Sequence, residues 1–389
     1  MCMAAVGLLA GVSGIRQVTS FDTSVYKVHI GAEVQGFDPK SHLQRLDPAT
    51  TGRASQMAVA AARMALADAG LNPEQLDRKR TGVSMGTTSG EPLFVEQYNR
   101  IRNTAGVDAV PAEILSRYPC HVIPTHIAIE LEIHGPCLTI PTACAAGNYA
   151  IGYGFDAIRT GRADMMLSGG ADAFSQITYM GFSRLGAIAP ERCQPFDRDR
   201  KGMVPGEGAA GLVLEPLEAA QARKATIYAE VLGYGVSCDA HHMTAAHPQA
   251  DGAIRAMAAA LSQSGLTTGD IDYISAHGTG TPTNDRLESL AVRTLFGDRV
   301  PLVPISSIKS MLGHTMGAAS VIEALACALA LQTGWIPPTI NHEESDPECG
   351  LDVVPNYARR TNPKVALNNA YAFGGNNASL CLARFEGGA

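Results

Sequence analysis

The segment GAASVIEALACALALQTGWIPP, residues 317–338, restricts the fold more than any other stretch of the chain. It reads as one long helix, apolar on nearly every side and stopped by Gly334 and two prolines. A helix without a polar face has to be buried between layers of other structure. Its one charge, Glu323, is costly there unless something pairs with it, so Glu323 is expected to help hold a site together.

Short β-branched runs alternating with helical patterns supply those layers. ASQMAVAAARMALADAG reads as an Ala-rich amphipathic helix ended by Gly70, and DGAIRAMAAALSQSG as another ended by Gly265. TGVSMGTTSG reads as a strand entering a Gly/Ser loop, ADMMLSGGAD and GAAGLVLEP as buried strands, and IDYISAHGTGT as a strand ending in a polar turn. The alternation predicts an α/β fold. With 389 residues there is room for two domains or two similar halves.

Composition narrows the function classes. A formal net charge of -7 predicts no general nucleic-acid footprint, though a local basic patch stays compatible with it. The opening MCMAAVGLLAGVSGIR is too short and too Gly-rich for a membrane span, and it lacks the charged-then-apolar pattern of a leader. The nine cysteines are scattered without a CxxC pair, which fits a reducing cytoplasm and mostly inert, buried thiols.

Cys144 is the exception worth pursuing. LTIPTACAAG and SIKSMLGHTMG form a faint repeat: Cys144 and His314 each precede a glycine by three positions, Gly147 and Gly317, and then an Ala-rich helix. Such a duplicated strand–loop–helix unit would bring two helix N-termini face to face. At a helix start, free N–H groups and the dipole favour a thiolate, so a lowered thiol pKa is expected. A packed cysteine in a small-residue turn is the competing reading. His277, at the end of an apolar strand in SAHGTGT, and Lys309, five positions before His314, lie in similar polar turns. In AYAFGG, Phe373 is followed by two glycines that would allow close backbone approach, as a pocket wall or as a plain hairpin turn.

Cys144 in TACAAG, His277 in AHGTGTPTND, Lys309 and His314 in SSIKSMLGHTMGAAS, and Phe373 in FGGNN together resemble the β-ketoacyl-acyl carrier protein synthases of the elongating, Cys-His-His type. GGADAF, PFDRDRKGMVPGEGAAGLVLE and PPTIN support the resemblance, which runs from about Leu8 nearly to the C-terminus. It implies a thiolase-like fold, two duplicated α/β halves in a five-layer sandwich, usually dimeric. Residues 1–224 would carry the nucleophile and residues 225–389 the two histidines. Cys144 would accept an acyl group from acyl carrier protein, with the N–H groups of Cys144 and Phe373 as oxyanion donors. His277 and His314 would assist decarboxylation of the malonyl unit, and Lys309 and Glu323 would organise His314 and the surrounding network. Thr279 and Thr281 match positions lining the phosphopantetheine tunnel, and Phe182, Phe373 and Gly374 match the acyl pocket and its gate. Arg198, Arg200 and Lys201 are candidates for carrier docking. No metal or redox cofactor is implied. The partners would be acyl carrier protein and a second subunit, identical or related.

Three departures from that family are visible. The chain begins almost at LLAGVSGIR, so a first core strand is expected to be missing or poorly replaced by Met1 to Val6, at some cost in stability. Ala372 stands where the gate loop has its first glycine. Only Arg53 lies near the helix start that in relatives is rich in basic residues. Among rivals, a thiolase needs a second catalytic cysteine, whereas Cys381 in SLCLARF reads as strand filler. A non-catalytic chain-length partner would lack the nucleophile, while the catalytic half of such a heterodimer stays open. A metal site at His241, His242 and His247 matches no standard zinc spacing.

Overall fold

The computed structural model describes residues 3–387. Two mixed sheets form its frame. The strands of the first are β1 (Thr81–Gly86), β2 (Cys137–Ile140), β3 (Met165–Asp172) and β4 (Gly208–Leu214). Their spatial order is β2-β1-β3-β4, parallel except for the antiparallel β4. The second sheet uses β5 (Glu230–Cys238), β6 (Tyr273–Ser275), β7 (Ile305–Ser306), β8 (Val365–Tyr371) and β9 (Asn376–Ala383). Read from the matching side, its order is β7-β6-β8-β9-β5, parallel until the antiparallel β9, which β5 flanks in antiparallel sense.

Six helices matter to the argument: α1 (Met3–Leu9), α2 (Arg53–Asp68), α3 (Ala146–Arg159), α4 (Asp251–Ser264), α5 (Pro282–Phe296) and α6 (Ala319–Thr333). Gly70, Gly265 and Gly334 follow α2, α4 and α6 with φ of +69°, +66° and +80°, the left-handed stops expected from the sequence.

The layers follow from which apolar faces meet. On one outside, α2 supplies Met57, Ala58, Ala62 and Leu66 against Val83, Met85 and Leu167 of the first sheet. On the other, α4 and α5 supply Met257, Leu261, Leu287 and Val292 against Ile274 and Leu367 of the second. Between the sheets lie α3 and α6, whose Ile151, Val321, Ala324 and Cys327 pack with Ala210, Tyr273, Ala366 and Leu380. This central position explains why α6 needs no polar face. By length and composition the segment Met316–Thr333 would suffice to cross a membrane, yet it is 78% buried inside the protein. The result is the five-layer α/β sandwich.

Strand by strand, β2, β1, β3 and β4 correspond to β7, β6, β8 and β9, and nothing in the first sheet corresponds to β5. Among the described residues no strand or backbone hydrogen bond covers the outer edge of β4. Leu212, Val213 and Leu214 stay half-buried there, whereas Asn377–Leu382 of β9 are buried. The expected first strand is therefore absent among the described residues. The described residues instead open with α1, whose Leu8 packs with Ile308, Met311 and Ala326. Met1 and Cys2 lie outside the described residues.

Candidate active site

The Cys144 turn is built by small residues. After β2, Thr142 and Ala143 break the strand, and Ala143 adopts φ +49°. A 3-10 turn, Ala143–Ala145, then feeds α3 and leaves Cys144 at its threshold, 8% exposed. Gly147 allows the neighbouring helix to come close: a Cβ there would lie 2.6 Å from Val321 N and 2.8 Å from Ser320 Oγ, at the start of α6. Asn148 N–H donates to Ser320 Oγ at 3.0 Å. The two helix N-termini do meet, as the repeat suggested.

His314 reaches the same place from the other half of the repeat. The helical turn Lys309–Leu312 ends at Gly313, φ +67°, and the chain then runs beside Val204–Gly206. His314 Nε2 lies 3.1 Å from Cys144 Sγ, and His314 Nδ1 accepts the Met316 N–H at 3.1 Å. His277 stands two residues past β6. Its N–H and that of Gly278 donate to the Glu288 carboxylate at 2.8 and 2.7 Å. The two imidazoles meet edge to face, with centroids 5.6 Å apart.

Lys309 serves His277, not His314. Its ammonium donates to His277 O at 2.6 Å, lies 3.4 Å from His277 Nδ1, and is paired with Glu323. Of the expected network around His314, it is His277 that the Lys309–Glu323 pair bonds. Gly313 reverses the chain, so His314 leaves the Lys309 turn and is fixed by its backbone bonds to Val204 and Gly206.

Both Nδ1 atoms accept hydrogen bonds, so in the neutral rings both Nε2 atoms carry the proton. Burial, and next the nearby Lys309 charge, hold both histidines well below their ordinary pKa, and His277 is lowered further by His314. They are neutral N–H donors. The cysteine departs from expectation: burial pushes its thiol up to about 12, and Lys309 offsets this only in part. Closing Cys144 beneath the turns around it costs a thiolate more solvation than the helix start returns. Burial likewise pushes Glu323 up to about 7, against the pull of Lys309, and Glu288 to about 8.

Cys144, His277 and His314 each bring one ligating atom into a group spanning no more than 4.8 Å, a spacing a soft metal ion could use. The second shell argues otherwise. A histidine bound to metal through Nε2 carries its proton on Nδ1 and donates it. Here Met316 N–H and the Lys309 ammonium already donate to those atoms. The donor set suits an oxyanion or a thiolate rather than a resident metal.

The remaining residues fall into four groups. Thr279, buried, and Thr281, half-buried, are linked Oγ1 to Oγ1 at 2.9 Å on the loop that follows His277. Phe373, 40% exposed, packs against Phe182 at 5.7 Å between centroids. Beside it Gly374 takes φ +81°, while Ala372 has φ -129°, a conformation any residue adopts, so the loop accommodates its alanine. Arg200 is 7% exposed and bound to Asp346 at 2.5 Å, with Asp285 at 3.7 Å. That burial removes it from any docking surface. Arg198 is exposed and pairs with Glu344, and Lys201 is exposed. Cys381 is buried in β9, and His241 and His242 lie on an exposed loop.

Two acids were missed by sequence reasoning. Glu288 fixes the His277 backbone as described. Asp172 accepts the N–H groups of Thr88, Ser89 and Gly317 and the Thr87 hydroxyl, tying the loop after β1 to the His314 turn. The available signal was an acid in an otherwise buried pattern: Asp172 closing MMLSGGAD, and Glu288 among the apolar positions of α5.

Two sheets related by duplication, with a buried Cys-His-His set where their central helices meet, define a condensing acyltransferase of thiolase-like fold. Sequence comparison gives the family. Residues 5–220 match the N-terminal domain of beta-ketoacyl synthase and residues 228–343 its C-terminal domain. The chain is 42% identical over 359 residues to nodulation protein E of Rhizobium sp. (strain N33), covering 91% of this chain and 87% of that one. It is 39% identical over 390 residues to 3-oxoacyl-[acyl-carrier-protein] synthase 2 of Staphylococcus aureus (strain COL), covering 97% and 93%. Among solved structures it is similar to the ishigamide ketosynthase/chain length factor, with TM-score 0.95, 46% identity, and 98% and 94% of the two chains covered. A beta-ketoacyl synthase from Burkholderia phymatum STM815 superposes with TM-score 0.90 at 35% identity, with the same coverage. The chain belongs to the beta-ketoacyl synthase family, whose members are condensing acyltransferases of fatty acid or polyketide synthesis.

Proposed function

We propose that this chain joins an acyl group held on Cys144 to malonyl-acyl carrier protein, giving a 3-ketoacyl-carrier protein two carbons longer. Cys144 Sγ attacks the acyl thioester, and the carrier thiol leaves with the cysteine proton. N–H groups of the Cys144 and Phe373 turns receive the oxyanion. The malonyl C–COO bond then breaks and releases carbon dioxide. Its electron pair becomes an enolate held at the thioester oxygen by the two Nε2–H donors. The enolate carbon attacks the acyl carbon and expels the Cys144 sulfur. Lys309 with Glu323 keeps His277 in its tautomer, and Glu288 keeps it in place.

The carrying observation is the 3.1 Å contact between His314 Nε2 and Cys144 Sγ, beside a second neutral imidazole. Thr279, Thr281, Phe182, Phe373 and Gly374 are assigned to the phosphopantetheine arm and the acyl gate, and Arg198 and Lys201 to carrier docking. The thioester chemistry asks for no free cofactor. The functional halves are residues 1–224 and 225–389, and the setting is cytoplasmic. A second subunit is expected, and the similarity to a ketosynthase/chain length factor pair favours a related, non-identical one.

Intact-protein mass after incubation with acyl-carrier proteins of several lengths tests the reading. Wild type should gain the acyl mass and Cys144→Ala should not. A folded wild type, supplied with its partner subunit, that stays unmodified with every donor would sink it.

A further inference from the structure

Tyr371 is the last residue of β8 and stands two positions before Phe373. Its ring lies 5.9 Å from the His277 ring, inclined at 67°. The residue is 8% exposed, and its hydroxyl is buried without any hydrogen-bond partner among the described residues. A buried phenol is ordinarily paired, so one left free beside a reactive histidine points to a ligand.

Other donors near His277 have tasks of their own. The Lys309 ammonium is spent on Glu323 and on His277 O and Nδ1, and Thr279 and Thr281 share one hydroxyl–hydroxyl bond on the loop assigned above to the phosphopantetheine arm. Thr142 Oγ1 is also unpaired, but it stands two residues before Cys144, on the turn that carries the acyl group. On the condensation reading, the reacting group at His277 is the malonyl unit. Its thioester oxygen meets the imidazoles, and its carboxylate enters with a full negative charge.

We propose that the Tyr371 hydroxyl binds the carboxylate of the malonyl extender unit in the state that precedes bond breaking. A neutral donor suits this step. The negative charge leaves the carboxylate as carbon dioxide forms and moves to the thioester oxygen. A cation at the carboxylate would stabilise the ground state that must be left, whereas a phenol aligns it with less penalty. Burial, and next the nearby Glu288, keep the phenol protonated, so the donor persists at every working pH.

The experiment uses Tyr371→Phe with the partner subunit present, and measures two half-reactions separately. Acyl loading of Cys144 should stay within about twofold of wild type. KM for malonyl-carrier protein should rise about tenfold, the loss of one hydrogen bond to a charged group, with kcat for carbon dioxide release unchanged or raised. An unchanged KM overturns the assignment, and so does a parallel fall in acyl loading, which would mark a packing role. Should the phenylalanine variant not fold, a ring-fluorinated tyrosine at 371 serves instead: the stronger donor should lower KM, and no change overturns the proposal. A wild type that loads acyl groups but never condenses them refutes the condensation reading itself.

Discussion

Ala143 and Gly313 each take a positive φ a single residue before the side chain that meets its counterpart across the site: φ is +49° before Cys144 and +67° before His314. Before Cys144 the positive φ is taken without glycine. For an L-residue the left-handed region costs about 1–2 kcal/mol, while glycine loses about 0.5–1 kcal/mol more than alanine to backbone entropy. Ala143→Gly should therefore stabilise the chain by up to about 1 kcal/mol, read by urea denaturation, with acyl loading retained.

The Lys309–Glu323 pair is buried on both sides, at 2% side-chain exposure each. Glu323→Ala strands an ammonium and should cost about 3–5 kcal/mol. Replacing both, as Lys309→Met with Glu323→Leu, should recover most of that stability. It should not recover condensation, because His277 Nδ1 loses the donor that fixes its tautomer. Denaturation and carbon dioxide release distinguish the two effects. Full condensation in the double variant would remove Lys309 from the mechanism.

The buried thiol makes a statement about pH. With Cys144 pushed up to about 12, the thiolate fraction rises about tenfold per pH unit throughout the neutral and mildly alkaline range. Alkylation of Cys144 by iodoacetamide, followed by mass spectrometry, should accelerate from pH 7 to pH 10 without a plateau. A plateau near neutrality would show a thiol activated by its helix start after all.

Amide exchange should divide β4 from β9, its counterpart. β9 is bonded on both edges, by β8 and β5, whereas among the described residues β4 has β3 on one edge alone. The alternate amides of Ala209–Val213 that point away from β3 should exchange orders of magnitude faster than those of Asn377–Leu382. Equal protection would mean that another segment covers that edge in solution.

Much of this was legible in the sequence because it rests on local pattern. The apolar run after Gly317 predicted a central helix, the stop glycines bounded α2, α4 and α6, and the Cys144/His314 repeat foretold the meeting of two helix starts. What escaped depends on distance in sequence. Lys309 reaches His277 across 32 positions, and Asp172 reaches Gly317 across 145, through side-chain paths no spacing encodes. Arg200 looked like a docking charge because FDRDRKG is polar, yet Asp285 and Asp346 enclose it. The thiol was misjudged for a related reason: a helix start can be read from residues, while the desolvation opposing it comes from the whole enclosure.

The close approach at Gly147 makes the protein a two-key lock. One sheet carries the sulfur and the other carries both imidazoles, so neither alone holds the whole set. Halves that have formed but not docked leave the cysteine with no imidazole donor beside it and the histidines with no acyl-sulfur to serve. Condensation therefore depends on the docking of the two halves, and the seam at Gly147 is as much a part of the site as the side chains it brings together.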